Sequence, residues 1–250
     1  MALLEVESVV RSYGGVRAVD DVSVQIDAGE WVAVIGPNGA GKSTLFNLLG
    51  GQVKPNSGTV RLAGRNINRL EPHARYGLGV ARSFQISSLF PDLTVREHLT
   101  LACREKHRWN LARTWRGDRE LQARVDEMLD LWGLDRDRDH ALPALLSYGE
   151  QRRLELALAV ASKPRLLLLD EPNVGLTAAE CDDLLARLRA LGPDPAVVFV
   201  AHDMDMVLGW ATRILVMHQG GLLADGPPEE IANNPFVEEV YLGATGTTTA

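Results

Sequence analysis

The residues with the most chemistry in this chain are the consecutive run Gly36-Pro37-Asn38-Gly39-Ala40-Gly41-Lys42-Ser43-Thr44. Their spacing satisfies the pattern GxxxxGK[ST]. The apolar run Trp31 to Ile35 precedes them, and a helix-like run opening Thr44-Leu45-Phe46 follows. Glycines let a backbone fold close around an anion with its N–H groups pointing inward, and the following helix adds the positive end of its dipole. In such a loop Lys42 reaches the β- and γ-phosphates of a nucleotide, and the Ser43 hydroxyl ligates Mg²⁺. At average glycine usage a chain this long matches the pattern by accident roughly once in a hundred sequences. With a strand before it and a helix after it, the run implies nucleotide binding.

Other chemistry-bearing residues sit at the ends of apolar runs. Leu166 to Leu169 ends in Asp170-Glu171, and a continuous apolar run is the mark of a buried parallel strand, whose C-terminal end is where ligands gather. Beside the phosphate loop, Asp170 would hold Mg²⁺ directly or through water, and Glu171 would polarise a water for attack on the γ-phosphate. A helix-capping pair ahead of Pro172 is the competing reading. His202 follows the run Ala196 to Ala201; it is either a satisfied structural histidine or a group that hydrogen-bonds the γ-phosphate or attacking water. Ser147 and Gly149, within Leu146-Ser147-Tyr148-Gly149-Glu150-Gln151, stand where a helix would start. That is a second anion site or an ordinary cap. Tyr13, on the turn after the first strand, offers a flat face to an adenine ring or is a half-buried loop aromatic.

The elements that must position these groups follow from periodicity and turn residues. Leu3 to Val10, Val16 to Val19 and Val22 to Ile26 read as an antiparallel β opening. A helix runs from Thr44 to the Gly50-Gly51 pair, a strand from Thr59 to Leu62, and a polar helix around Leu70 to Tyr76. The short apolar run Gly79 to Phe84 ends in Gln85. Thr94-Val95-Arg96-Glu97 is a capping box, after which helical periodicity continues to about Gly133. An apolar helix covers Arg152 to Ser162, and Arg213 to His218 pairs with Leu222 to Gly226 across Gln219-Gly220-Gly221. Pro228 opens a last helix. The fold class is therefore α/β, with a parallel-sheet core, an antiparallel β subdomain and an inserted α-helical subdomain at about 91–155, flanked by core segments at about 1–90 and 156–250.

Composition narrows the function classes. The 250 residues carry 26 Lys+Arg against 33 Asp+Glu, a formal net charge of −7, which argues against nucleic acid as the main partner. Arg104 to Arg124 is locally basic and holds Trp109 and Trp115. It reads as a solvated face, with a membrane-side surface as the alternative. The 2 cysteines, Cys103 and Cys181, are too few and too far apart for a disulfide framework or a metal site. No apolar run approaches a membrane span and no signal-peptide pattern opens the chain, so the expected location is cytoplasmic, with any membrane role exercised by docking.

Taken together, the phosphate loop Gly36–Ser43, Gln85, Leu146–Gln151, Leu166–Glu171 and His202 resemble, in order and spacing, the ATP-binding subunits of ABC transporters over essentially the whole chain. Gly79-Val80-Ala81-Arg82-Ser83-Phe84-Gln85, His202-Asp203-Met204 and the run from Gln219-Gly220 to Tyr241-Leu242-Gly243 are closest to the ATPases of branched-chain amino acid and urea or amide importers. The resemblance implies a P-loop ATPase working as a head-to-tail homo- or heterodimer with two ATPs at the interface. Lys42 and Ser43 of one subunit would face Ser147 and Gly149 of the other. Gln85 would contact Mg²⁺ and the γ-phosphate and signal to an integral membrane permease, itself served by a solute-binding protein, with the ATPase peripheral on the inner face of the membrane. Alternatives within the resemblance are the ATPase of a lipid exporter and a soluble, non-transport ATPase. Two residues depart from the family pattern: Tyr148 replaces a glycine, and Thr177 stands where many members place aspartate.

Overall fold

The computed structural model describes residues 2–83, 89–104 and 118–239. Gln85, Trp109, Trp115 and the 241–243 stretch lie outside them. In chain order the elements are β1 (Leu4–Tyr13), β2 (Val16–Ile26), β3 (Trp31–Ile35), α1 (Lys42–Gly50), β4 (Ser57–Leu62), β5 (Arg65–Asn66), α2 (Pro72–Gly77) and β6 (Val80–Arg82). They continue with α3 (Val95–Cys103), α4 (Arg119–Leu131), α5 (Tyr148–Val160), β7 (Leu166–Asp170), α6 (Ala178–Arg189), β8 (Ala196–Val200), α7 (Met204–Trp210), β9 (Arg213–His218), β10 (Gly221–Gly226) and α8 (Pro228–Ala232). Packing divides the chain into two units: Met1–Arg82 with Arg165–Pro172 and Pro193–Ala250, and Ser83–Pro164 with Asn173–Gly192.

The first unit holds two sheets. One has the order β10-β9-β3-β8-β7-β6, parallel from β9 to β6. The residues of β7 and β8 are buried at every position, so these strands lack the alternation of a sheet with one wet face and need cover on both sides. The other sheet, β2-β1-β4-β5, is antiparallel. Tyr13, expected on the turn, is instead the last residue of β1, paired with Val16, because a two-residue Gly14-Gly15 loop carries the ladder to its end. The stretches 16–19 and 22–26 form one strand, irregular at Asp21, where φ is 52°. Gly221 likewise belongs to β10 and not to the turn: Gln219 (φ 48°) and Gly220 (φ 86°) alone make the hairpin loop, both in the left-handed conformation of a type I′ turn.

Helix α1 begins at Lys42, two residues earlier than its apolar pattern suggests. Its far end is held by Arg75 of α2, which is 1% exposed. The guanidinium donates to the Leu48 and Leu49 carbonyls that α1 leaves unpaired, and also to those of Ile67 (2.8 Å) and Leu70 (3.0 Å). A cation at the negative end of a helix dipole is favourable. Burial nevertheless lowers the Arg75 pKa to about 10, against the opposing charge of Glu71.

The second unit is helical. Thr94, Ser147 and Thr177 each cap a helix (α3, α5 and α6) through a capping box with Glu97, Glu150 and Glu180. Helix α5 thus begins at Tyr148, earlier than its apolar run indicates, because the box fixes the first turn. Arg96 of α3 donates to Asp126 and Asp139, 2.6 Å from each. Residues 173–192, which periodicity assigned to the core segment, cluster with this unit: Arg187 donates to the Leu131 carbonyl, and Arg153 pairs with Asp183. His98 is buried; its Nε2 accepts from the Phe90 N–H (2.8 Å), and its Nδ1 donates to the Thr94 carbonyl (2.9 Å). Burial lowers its pKa, outweighing the Thr94 hydrogen bond and the Glu97 charge.

Two measurements test these assignments. Replacing Arg75 by alanine strands three buried carbonyls and a half-buried one and should cost about 3 kcal/mol or more, read as a lower denaturation midpoint with α1 as the weakened element. For His98 the sign follows from linkage. Below its ordinary value of 6.5, the unfolded chain takes up a proton that the folded imidazole refuses, so stability falls as pH drops through that region. Between about pH 7 and about pH 5, wild type should therefore lose more stability in urea titrations than His98→Asn.

Candidate functional site

The phosphate loop leaves the C-terminal end of β3 and enters α1. Gly36 adopts φ 148° and Gly41 φ 104°. A Cβ at Gly36 would meet the Met217 carbonyl oxygen at 2.2 Å, and one at Gly41 would meet that of Ala18 at 2.1 Å. Both approaches, to β9 and to β2, need glycine. The Gly220 N–H donates to the Ala40 carbonyl (3.0 Å), so the β9–β10 turn braces the loop from behind. Asn38, Gly39 and Ser43 are exposed on its rim, while Ala40 and Lys42 are buried. Lys42 Nζ donates to the Gly36 (2.7 Å) and Pro37 (3.0 Å) carbonyls. Burial lowers its pKa and the Glu171 charge opposes that, so an ammonium and a carboxylate act on one region.

The acids reach that region along the sheet. β8 lies between β3 and β7, with Asp170 in register with Val200, so all three strands end at the same edge. Glu171 lies one residue beyond β7 in the left-handed region, φ 46°, with its N–H on the Val200 carbonyl (3.0 Å). Such a conformation is uncommon for a residue with a long side chain. His202, two residues past β8, donates from Nε2 to Glu171 Oε1 across 3.0 Å. Sequence alone put these two residues on separate strand ends; the fold pairs them.

Asp170 has a partner that the sequence reading missed. Arg82, at the end of β6, donates to Asp170 Oδ2 (3.1 Å), Asn47 Oδ1 (2.8 Å) and Gln52 Oε1 (3.0 Å). It also lies 5.9 Å from the Phe46 ring. One guanidinium thus links the metal-type acid to the phosphate-loop helix. The available signal was a lone arginine closing a short apolar strand. Among the described residues no cluster of three His, Cys, Asp or Glu side chains is arranged to hold a metal ion. Ser43 and Asp170 are hard oxygen donors too few to cage a cation, which suits Mg²⁺, an ion that keeps its waters and is shared with phosphate oxygens.

Tyr13 is 45% exposed, and the Arg11 guanidinium sits 4.6 Å from its ring centroid, so one aromatic face already carries a cation. Ser147 and Gly149 belong to the helical unit. The Ser147 hydroxyl accepts from the Glu150 N–H (3.3 Å), and the Ser147 N–H donates to Glu150 Oε2 (2.7 Å). Burial would raise the Glu150 pKa; the Ser147 hydrogen bonds and the Arg138 and Arg153 charges outweigh it and hold the carboxyl below its usual range.

Comparisons with known proteins agree with this geometry. The family described as ABC transporter matches residues 19–174. The high-affinity branched-chain amino acid transport ATP-binding protein BraF of Pseudomonas aeruginosa is 38% identical, over 96% of this chain and 98% of its own. LivG of Escherichia coli, named for the same transport, is 38% identical over the same shares. Among solved structures, the ADP conformation of MJ1267, an ATP-binding cassette of an ABC transporter, superposes with a TM-score of 0.83 at 27% identity, covering 97% of this chain and 99% of that one. A dimeric post-hydrolysis state of the cassette MJ0796, bound to ADP and Pi, gives 0.77 at 26% identity, covering 90% and 98%. A phosphate loop on β3, acids on β7 and relatives of matching length all lead to one assignment: the chain belongs to the ABC transporter family, as an ATP-binding cassette with ATPase activity.

Proposed function

We propose that this ATPase energises an importer of branched-chain or other hydrophobic amino acids, working as a homo- or heterodimer on integral membrane permeases that a solute-binding protein supplies. The observation that carries the reading is the meeting of Lys42, Asp170, Glu171 and His202 at one sheet edge, in a chain similar along nearly its full length to BraF and LivG. No helix among the described residues is long and apolar enough to cross a membrane. That fits a peripheral subunit docked from the cytoplasmic side on proteins that do cross it.

In this reading the N–H groups of Gly36–Thr44 cradle the ATP phosphates, and Lys42 turns from its loop carbonyls to the β- and γ-phosphates. Ser43, Asp170 and Gln85 would hold Mg²⁺, which when bound would supply charge neutralisation at the phosphate oxygens. Glu171 takes a proton from the attacking water, and His202, hydrogen-bonded to it, steadies that carboxylate and reaches toward the γ-phosphate. Tyr13 stacks on the adenine with the face Arg11 leaves. Ser147 and Gly149 of the second copy close over the γ-phosphate. Because ADP lacks that group, ATP alone favours the closed dimer, and hydrolysis releases it.

Glu171→Gln tests the assignment, because it keeps the shape of the side chain and removes the base. Turnover should fall by about a hundredfold or more, while ATP affinity stays within a few-fold and an ATP-bound dimer accumulates in size-exclusion chromatography. Turnover close to wild type in this variant would remove Glu171 from the reaction.

A further inference from the structure

Arg82 closes β6, and the groups it bonds, Asp170, Asn47 and Gln52, all belong to the sheet unit. Its register partner on β7 is Leu168, so Asp170, two residues further along, lies on the same face of the sheet. Two guanidinium nitrogens reach in two directions. One donates to Asp170 Oδ2; the other donates to Asn47 Oδ1 and Gln52 Oε1. Asn47 stands one turn along α1 from Ser43, on the same face of the helix. One planar group therefore spans from the acid to the helix that carries the hydroxyl. Gly50 leaves room for this grip, because a Cβ there would collide with Gln52 Oε1. The buried Phe46 ring backs the guanidinium at 5.9 Å.

The Arg82 and Asp170 side chains are each only 12% exposed, and a carboxylate that far out of water is costly without a cation beside it. Lys42 and Arg82 stand against Glu171 and Asp170 at this edge, two positive charges against two negative. So balanced, the edge offers a divalent ion little net attraction until phosphate oxygens add their own charge. We propose that Arg82 is a positioning residue for the cation site: it fixes Asp170 relative to Ser43 and stands in for the cation until a nucleotide brings one. The inference rests on the reading above, in which Ser43 and Asp170 hold Mg²⁺. The two roles have opposite signs. Loss of the charge opens Asp170 to free divalent ions and tightens their binding, whereas loss of the grip on α1 loosens the two donors and slows turnover. Lysine would keep the charge without the grip, because an ammonium is a point where guanidinium is a fixed fork.

Mn²⁺, followed through the loss of its free-ion EPR signal, reports on the site of the full chain without turnover. With no nucleotide present, Arg82→Gln should bind Mn²⁺ about tenfold more tightly than wild type, and Mn²⁺ should raise the melting midpoint of the variant more than that of wild type. Adding Asp170→Asn to Arg82→Gln should cancel the gain. With Mg²⁺ and ATP, Arg82→Gln should lower kcat about tenfold and leave KM within about twofold. Arg82→Lys should match wild type in nucleotide-free Mn²⁺ affinity while kcat falls about fivefold. An arginine that served the fold alone would lower stability on removal and leave nucleotide-free Mn²⁺ affinity unchanged. Equal Mn²⁺ affinity in wild type and Arg82→Gln, or a gain that survives Asp170→Asn, overturns the stand-in role, and wild-type kcat in either Arg82 variant overturns the positioning role. If Asp170→Asn alone leaves the Mn²⁺ affinity of the ATP-loaded chain unaltered, the reading in which Asp170 holds the ion is overturned, and the proposal falls with it. Should Arg82→Gln not fold, kcat of Arg82→Lys decides alone.

Discussion

The structure depends on a sheet whose central strands are buried on both faces. Leu166 to Leu169 and Ala196 to Val200 give up no face to water, so no charged side chain has a place along them. Polar chemistry is confined to the strand ends, where backbone N–H groups and helix starts are open. Parallel pairing of β3, β8 and β7 makes those ends coincide. Four leucines in a row supply, at about 1.5–3 kcal/mol each, the burial that keeps Asp170 and Glu171 at that edge. The same constraint explains why Gly36 lies closer to the Met217 backbone than any side chain allows: β3 and β9 are neighbours in a layer that cannot swell.

Charges near such an edge need partners, because an unpaired ion in a half-dry site costs more than a single hydrogen bond returns. The first unit answers this four times. Arg75 is surrounded by carbonyls, Lys42 by the oxygens of its own loop, Asp170 is joined by Arg82, and Glu171 by His202. These pairings differ in kind. Arg75 is satisfied wholly by backbone and belongs to the fold. The other three groups are paired at the sheet edge, by loop carbonyls or by a side chain. Arg82 also binds Asn47 and Gln52, so the acid at the end of β7 and the helix that follows the phosphate loop share one cation.

The helical unit works by local rules repeated. Thr94, Ser147 and Thr177 make the same capping box with a glutamate three residues on. One of the three, Ser147, stands in a stretch resembling a nucleotide-contacting motif; another, Thr177, closes a segment packed under Tyr148. Nothing in the box itself separates a plain cap from a site, since the hydroxyl makes the same bond in all of them. The difference lies in what else touches the first turn: for α5 it is a glycine pressed by Glu180 and a tyrosine reaching Val174.

The sequence by itself determined the phosphate loop, the buried strands, the capping box at Thr94 and a hairpin across Gln219-Gly220-Gly221. Each is a local matter of glycine conformation, apolar runs or side chains reaching three residues along the chain. It also determined the family through the order of motifs. Boundaries shifted where backbone geometry outvoted pattern, as with Tyr13 at the end of a tight hairpin and Lys42 at the start of α1. Tertiary structure alone decided which distant residues meet: Arg82 with Asp170, His202 with Glu171, Arg75 with the end of α1, Tyr148 with Val174, and residues 173–192 with the helices. These contacts span 26 residues or more, and composition and periodicity carry no record of them. They exist because strands separated in sequence become neighbours in a sheet, and because helices pack wherever their buried leucines find a partner.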